Sequence, residues 1–206
     1  MVDPSEYHKA NIKYLGFSSK EDIIENLYLK SISDAYVRID KKIGIENDIR
    51  DRFIRDFLTV DTQLKKLLNL KFIYVDWELW FFSETQELGR ADLCFRTVGF
   101  QFIVECKRLF HADSKYFDQG LKRFIDLKYG KEDDYGGMIG FVVNGNHETI
   151  CSNLHARVKD YSIVIGSDFS SKHISFLIPS FLATHKRVDG SYINVYNLFL
   201  RFDRIK

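Results

Sequence analysis

The chain has 206 residues, 45% hydrophobic and 29% charged, and a formal net charge of +1. That balance suits an ordinary soluble globular chain with one main core, and near-neutrality confines any polyanion-binding surface to a local patch. No run approaches the length of a membrane span, and Met1-Val2-Asp3-Pro4-Ser5-Glu6 has neither the basic nor the apolar stretch of a secretory leader. Three cysteines without paired metal-ligand spacing argue against a disulfide framework or a zinc site. Cys94 and Cys106 fall in apolar runs and read as core residues, so a cytoplasmic location is expected.

Along the chain, Ser18-Ser19-Lys20-Glu21 forms a capping box opening a helix with Ile23, Ile24, Leu27 and Ile32 on its inner side. A second helix is predicted from Ile45 to Leu58, where Ile49, Phe53, Ile54 and Phe57 recur at helical spacing. Phe72 to Trp80 reads as a strand. Trp77 and Trp80, three positions apart, then fall on opposite faces, one in the core, and offer no stacking platform. Two further strands, Asp92-Leu93-Cys94-Phe95 and Phe100 to Lys107, flank Val98-Gly99, a two-residue hairpin loop whose Gly supplies positive φ. Lys115 to Lys128 reads as a helix stopped by Gly130, Gly137 to Val143 as a strand, and His147 to Val158 as a helix. Strands are predicted at Ser162-Ile163-Val164-Ile165 and from Tyr192 to Phe202. With no repeat, low-complexity tract or linker, the whole of 1–206 reads as one domain. Residues 1–44 form an N-terminal helical extension, 45–165 a core, and 166–206 strands that complete it. The fold class is α/β: a three-strand meander followed by a crossover helix gives a central mixed sheet flanked by helices in αβββαβ order.

If the hairpin pairs symmetrically about Val98-Gly99, Asp92 lies opposite Glu105, and side-chain alternation puts Lys107 on the same face as Glu105. Two carboxylates and an amine then meet on an apolar strand, where unpaired charge is costly. Hard divalent cations take oxygen ligands of this kind, and a neighbouring ammonium can hold water or neutralise charge developing on a phosphate.

Asp92 together with Glu105-Cys106-Lys107 resembles the signature of the PD-(D/E)xK nuclease superfamily, with Ala91 in place of the usual Pro. The resemblance extends over roughly residues 45–165 and implies a restriction-endonuclease-like core and a Mg2+-dependent nuclease, with Mn2+ as a substitute. Asp92, Glu105, the Cys106 backbone carbonyl and Glu46 would hold the metal, and Lys107 would position or activate water. It further implies phosphodiester hydrolysis in DNA rather than RNA, duplex DNA foremost, in restriction, repair or anti-phage defence. One catalytic set per chain calls for a homodimer, or for two events, to cut both strands, and a regulatory protein partner is compatible with such an enzyme. Candidate nucleic-acid contacts are Gln119, Lys122 and Arg123 on the helix after the lysine strand, and His185-Lys186-Arg187. The alternatives are a catalytically inactive nucleic-acid-binding or assembly module of the same fold, and an RNA-directed nuclease.

Overall fold

The computed structural model describes residues 4–82, 88–161 and 178–202. Among them, six helices and a six-stranded open mixed sheet make an α/β protein. Helix α1 is Pro4–Tyr14. Helix α2 runs unbroken over 20–38, with a π-helical middle, Ile24–Leu29, between the α-helical segments Lys20–Ile23 and Lys30–Arg38. Ser19 caps it by accepting from the Asp22 amide. Helix α3 is Glu46–Thr59 and α4 is Gln63–Asn69, the latter capped by Thr62.

The strands are β1 (Tyr74–Phe82), β2 (Leu88–Thr97), β3 (Phe100–Leu109), β4 (Tyr135–Val142), β5 (Ser180–Lys186) and β6 (Tyr192–Arg201). Helix α5, π-helical over Phe117–Leu121 and α-helical over Lys122–Ile125, carries the chain from β3 to β4; α6 is His147–Tyr161. The sheet order is β1-β2-β3-β4-β6-β5. The first three strands are antiparallel neighbours, β3, β4 and β6 run parallel, and β5 returns antiparallel at the far edge. Among the described residues, no helix is long and apolar enough to cross a membrane.

Each sheet face carries its own apolar layer. On one, Ile24, Leu27 and Tyr28 of α2 and Ile49, Phe53 and Phe57 of α3 pack against Phe95, Phe102, Val104, Phe141 and Leu198. Ile12 and Phe17 join this layer, so the N-terminal helices share the core of the sheet. On the other, Tyr116, Leu121 and Phe124 of α5 and Leu154 and Val158 of α6 cover Cys94, Ile103, Met138, Phe181 and Phe199. Each fully buried ring contributes roughly 1.5–3 kcal/mol over leaving it exposed. The central strand β4 is glycine-rich for a packing reason. A methyl group at Gly136 would come 2.6 Å from the Phe124 ring, and one at Gly140 would come 2.6 Å from Leu109 Cδ1. These glycines let the second layer sit directly on the strand backbone.

Several elements depart from the sequence reading. Helix α4 has no counterpart in that reading, and α1 and β5 fall in the stretches 1–44 and 166–206 that it gives only broadly as helical and as strands. The predicted strand Ser162-Ile163-Val164-Ile165 lies outside the described residues. Trp77 and Trp80 are both exposed, at 48% and 57%. The cause lies between them: Glu78 adopts φ +54, and its position opposite Asp92 drops out of the β1–β2 ladder. Past that kink, Leu79 and Ala91 pack into the second apolar layer, whereas Leu93, facing Trp77, belongs to the first. Simple alternation therefore fails at Trp80.

Candidate active site

The hairpin register is the one that symmetry about Val98-Gly99 requires, with Thr97 facing Phe100 and Leu93 facing Val104. Just beyond the last paired position, the Cys106 amide donates to Asp92 Oδ2 at 2.8 Å, which brings Asp92 beside Glu105 and Cys106. Both carboxylates are buried, Asp92 at 6% and Glu105 at 1% exposure. The Lys107 ammonium donates to Glu105 Oε1 at 2.5 Å and to the Cys106 carbonyl at 2.8 Å, and lies 3.9 Å from Glu46 Oε1. Glu46 arrives from the first turn of α3, and its other oxygen accepts from the Arg108 amide at 2.7 Å. The resemblance-derived set Asp92, Glu105, Lys107 and Glu46 is thus one contiguous cluster.

Further side chains, which the sequence reading did not single out, complete it. Arg50, one turn along α3 from Glu46, is buried and bridges Asp92 (3.7 Å) and Glu78 (3.3 Å). Arg90 reaches the same Glu78 oxygen at 3.3 Å. Tyr129, from the loop after α5, has its hydroxyl 2.5 Å from Glu105 Oε2 and 2.9 Å from the Arg90 carbonyl. Arg123 donates to that hydroxyl at 2.5 Å and to Glu105 Oε1 at 3.0 Å. Signals were present for two of these: Arg50 sits within the helical apolar pattern of Ile49, Phe53 and Ile54, and Tyr129 precedes Gly130, the stop expected from the sequence, although the helix ends earlier at Ile125. Neither signal specifies a partner.

Acids and bases balance in this cluster: Glu46, Glu78, Asp92 and Glu105 against Arg50, Arg90, Lys107 and Arg123. Burial nonetheless dominates at Glu105. Desolvation, reinforced by the Asp92 charge, pushes its carboxyl up to about 7 against the pull of Lys107 and Arg123. At Lys107 the contest goes the other way. Burial disfavours the ammonium, but Glu105, Glu46 and Asp92 outweigh it and raise its pKa. One attraction thus appears as a net gain on the amine and a net loss on the acid, because the acid lies deeper.

The cluster forms the floor of a pocket of about 330 Å³, with Trp80, Gly89, Arg90, Arg123, Lys128 and Tyr129 as its walls. Among the described residues, no three His, Cys, Asp or Glu side chains converge into a metal cage. The oxygens that do converge are the Glu105 carboxylate and the Cys106 carbonyl, with Asp92 alongside, and the ammonium of Lys107 already sits among them as a cation. Magnesium is commonly held by one or two carboxylates plus water and phosphate oxygens, so this donor set fits such an ion in kind.

The nucleic-acid candidates separate. Arg123 and Lys128 line the pocket. Gln119 and Lys122 are exposed and line an adjoining shallow depression with Arg123 and Lys128, where Lys122 pairs with Asp126 at 2.5 Å. Gln119 and Arg123, four positions apart, thus border one depression, Gln119 open to solvent and Arg123 half-buried.

The expectation of a solvent-facing His185-Lys186-Arg187 trio is corrected. His185 is fully buried on β5, with no hydrogen-bond partner for either ring nitrogen among the described residues. Arg187, 3% exposed, donates to the carbonyls of Phe124, Gly130 and Lys131. Of the three, Lys186 alone keeps partial exposure, and none lines the pocket.

Compared with family models, curated proteins and solved structures, the chain finds no match.

Proposed function

We propose that this chain is a metal-dependent nuclease of the PD-(D/E)xK type, hydrolysing phosphodiester bonds in DNA with Mg2+ or Mn2+. The observation that carries the reading is the meeting of Asp92, Glu105 and Lys107 across the β2–β3 hairpin, with Glu46 from the preceding helix, in one open pocket. The run α3-α4-β1-β2-β3-α5-β4, which is a restriction-endonuclease-like order with the short helix α4 inserted before β1, supports this reading. Asp92, Glu105 and the Cys106 carbonyl would hold the ion, which when bound supplies a polarised phosphoryl group and a more acidic water. Lys107 holds the attacking water or neutralises the charge growing on the phosphate, and Glu46 positions Lys107. Arg90, Arg123 and Lys128 meet the flanking phosphates. Preference for DNA over RNA, a homodimer for double-strand cutting, and a role in restriction, repair or anti-phage defence all follow from the family resemblance.

Incubation with supercoiled plasmid and linear DNA in Mg2+, Mn2+ or EDTA tests the reading, alongside Asp92→Ala and Lys107→Ala. Metal-dependent cutting that falls at least about 10²-fold in both variants is expected. Cutting that survives EDTA, or persists in both variants, overturns it.

One observation favours a second reading, a nuclease-fold binding module without catalysis. Both Glu105 oxygens are already engaged, by Lys107 and Arg123 on one side and Tyr129 on the other. DNA binding with no heat of Mg2+ or Mn2+ binding by calorimetry would select it.

A further inference from the structure

Trp80 is the most exposed of the aromatic side chains around the pocket, and it stands on the same rim as the acid–lysine cluster. It is 57% exposed and lines the pocket with Asp92, Glu105 and Lys107, whereas Trp77, also exposed, does not. The Glu78 kink places it there by breaking the alternation of β1. The Arg90 guanidinium lies 5.7 Å from its ring centroid and is itself partly open to solvent, and Arg123 and Lys128 line the same pocket. A large flat apolar surface among cations, beside a cluster suited to phosphate chemistry, matches a nucleotide: phosphate against the bases, nucleobase against the indole.

We infer that Trp80 is a stacking platform for an unpaired nucleobase next to the reacting phosphate, so that the substrate is a strand whose bases are unstacked at the point of attack. This rests on the nuclease reading and narrows it. Within an intact duplex both faces of each base are covered by neighbours, so an indole gains contact only where the strand is single, frayed, flapped or mismatched. Stacking is tolerant of base identity, so the platform selects strand state and not sequence.

The chain has two tryptophans, so Trp77→Phe leaves Trp80 as the only indole reporter. This variant is titrated in EDTA, without cleavage, with oligothymidine, with an abasic deoxyribose-phosphate oligomer of equal length, and with a relaxed, covalently closed circular duplex that has no ends. Oligothymidine is expected to quench Trp80 emission, and the other two to leave it unchanged. Trp80→Ala should weaken oligothymidine binding about ten-fold, and Trp80→Phe should retain most of it. The side chain is exposed, so these substitutions leave the fold intact. Unchanged emission while oligothymidine binds, an equal response to duplex, no binding of oligothymidine at all, or emission that follows protein concentration (a contact between copies of the chain) each overturns the platform. The nuclease reading fails separately, if oligothymidine binds and quenches while the wild-type protein cuts neither substrate in Mg2+ or Mn2+.

Discussion

Tyr129 and Arg123 hold Glu105 by its two different oxygens, the phenol at Oε2 and the guanidinium at Oε1, where Lys107 also donates. The carboxylate that the proposed chemistry needs ionised is therefore braced by three donors, yet burial keeps its pKa near 7. The acid is stabilised in position more than in charge.

Glu105→Gln is expected to stabilise the metal-free protein at pH 8 while abolishing cleavage. The Glu105 carboxyl titrates near 4.5 when unfolded and about 7 when folded. Its favourable contribution is complete below 4.5 and is lost as pH rises through 7. The neutral amide avoids that loss, which by linkage is up to about 3 kcal/mol at this 1%-exposed site. Thermal melts from pH 4 to 8 in EDTA check it. A variant less stable than wild type at pH 8 by as much as at pH 4 would show that Lys107 and Arg123 need the negative charge.

His185 gives the opposite slope. Burial lowers its pKa from 6.5 to about 4, and among the described residues neither nitrogen has a hydrogen-bond partner. Its contribution is complete above 6.5 and disappears as pH falls toward 4, roughly 3 kcal/mol in all. His185→Leu should flatten the loss of stability between pH 6.5 and 4. Chemical denaturation across that window measures this, and an unchanged slope would place the titrating group elsewhere.

Arg187→Met is expected to cost about 2–4 kcal/mol of stability, since it deletes charge-assisted bonds to three carbonyls in a buried setting. At a temperature where the variant stays folded, the salt dependence of DNA binding should match wild type. A flattened salt slope with an unchanged melting temperature would restore Arg187 as a phosphate contact.

Lys128→Ala should reduce the slope of log Kd against log salt by about one phosphate's worth, because Lys128 lines the pocket. Lys122→Ala should change it less, as Lys122 sits outside the pocket and pairs with Asp126. Fluorescence anisotropy between low and physiological salt separates the two. Equal slopes for both variants would move the phosphate track onto the outer face of α5.

The hairpin was legible because a two-residue loop with Gly99 at φ +72 fixes the register of everything on either side. From that alone, Asp92 and Glu105 meet. Glu46 was reached through family resemblance alone, and its carboxylate lies 3.9 Å from the Lys107 ammonium. Tyr129 and Arg50 were not legible as site residues, because their partners lie 24 and 42 positions away in the chain, at Glu105 and Asp92. No local pattern encodes that distance. Strand β5 was not delimited because the charged look of His185-Lys186-Arg187 hid the inward alternation of Phe181, Ala183 and His185. Trp80 was misread because a positive φ at a glutamate has no sequence signature.

The bare backbone at Gly136 has a reach beyond packing. It sets how low the Phe124 ring can settle, and with it the height of the short helix that carries Arg123 one residue earlier. A residue with no side chain, two strands away from Asp92, thereby acts as the spacer that brings a guanidinium within bonding range of Glu105. Even an added methyl would work as a shim, tuning the acidity of the site from beneath α5 without touching any group inside the pocket.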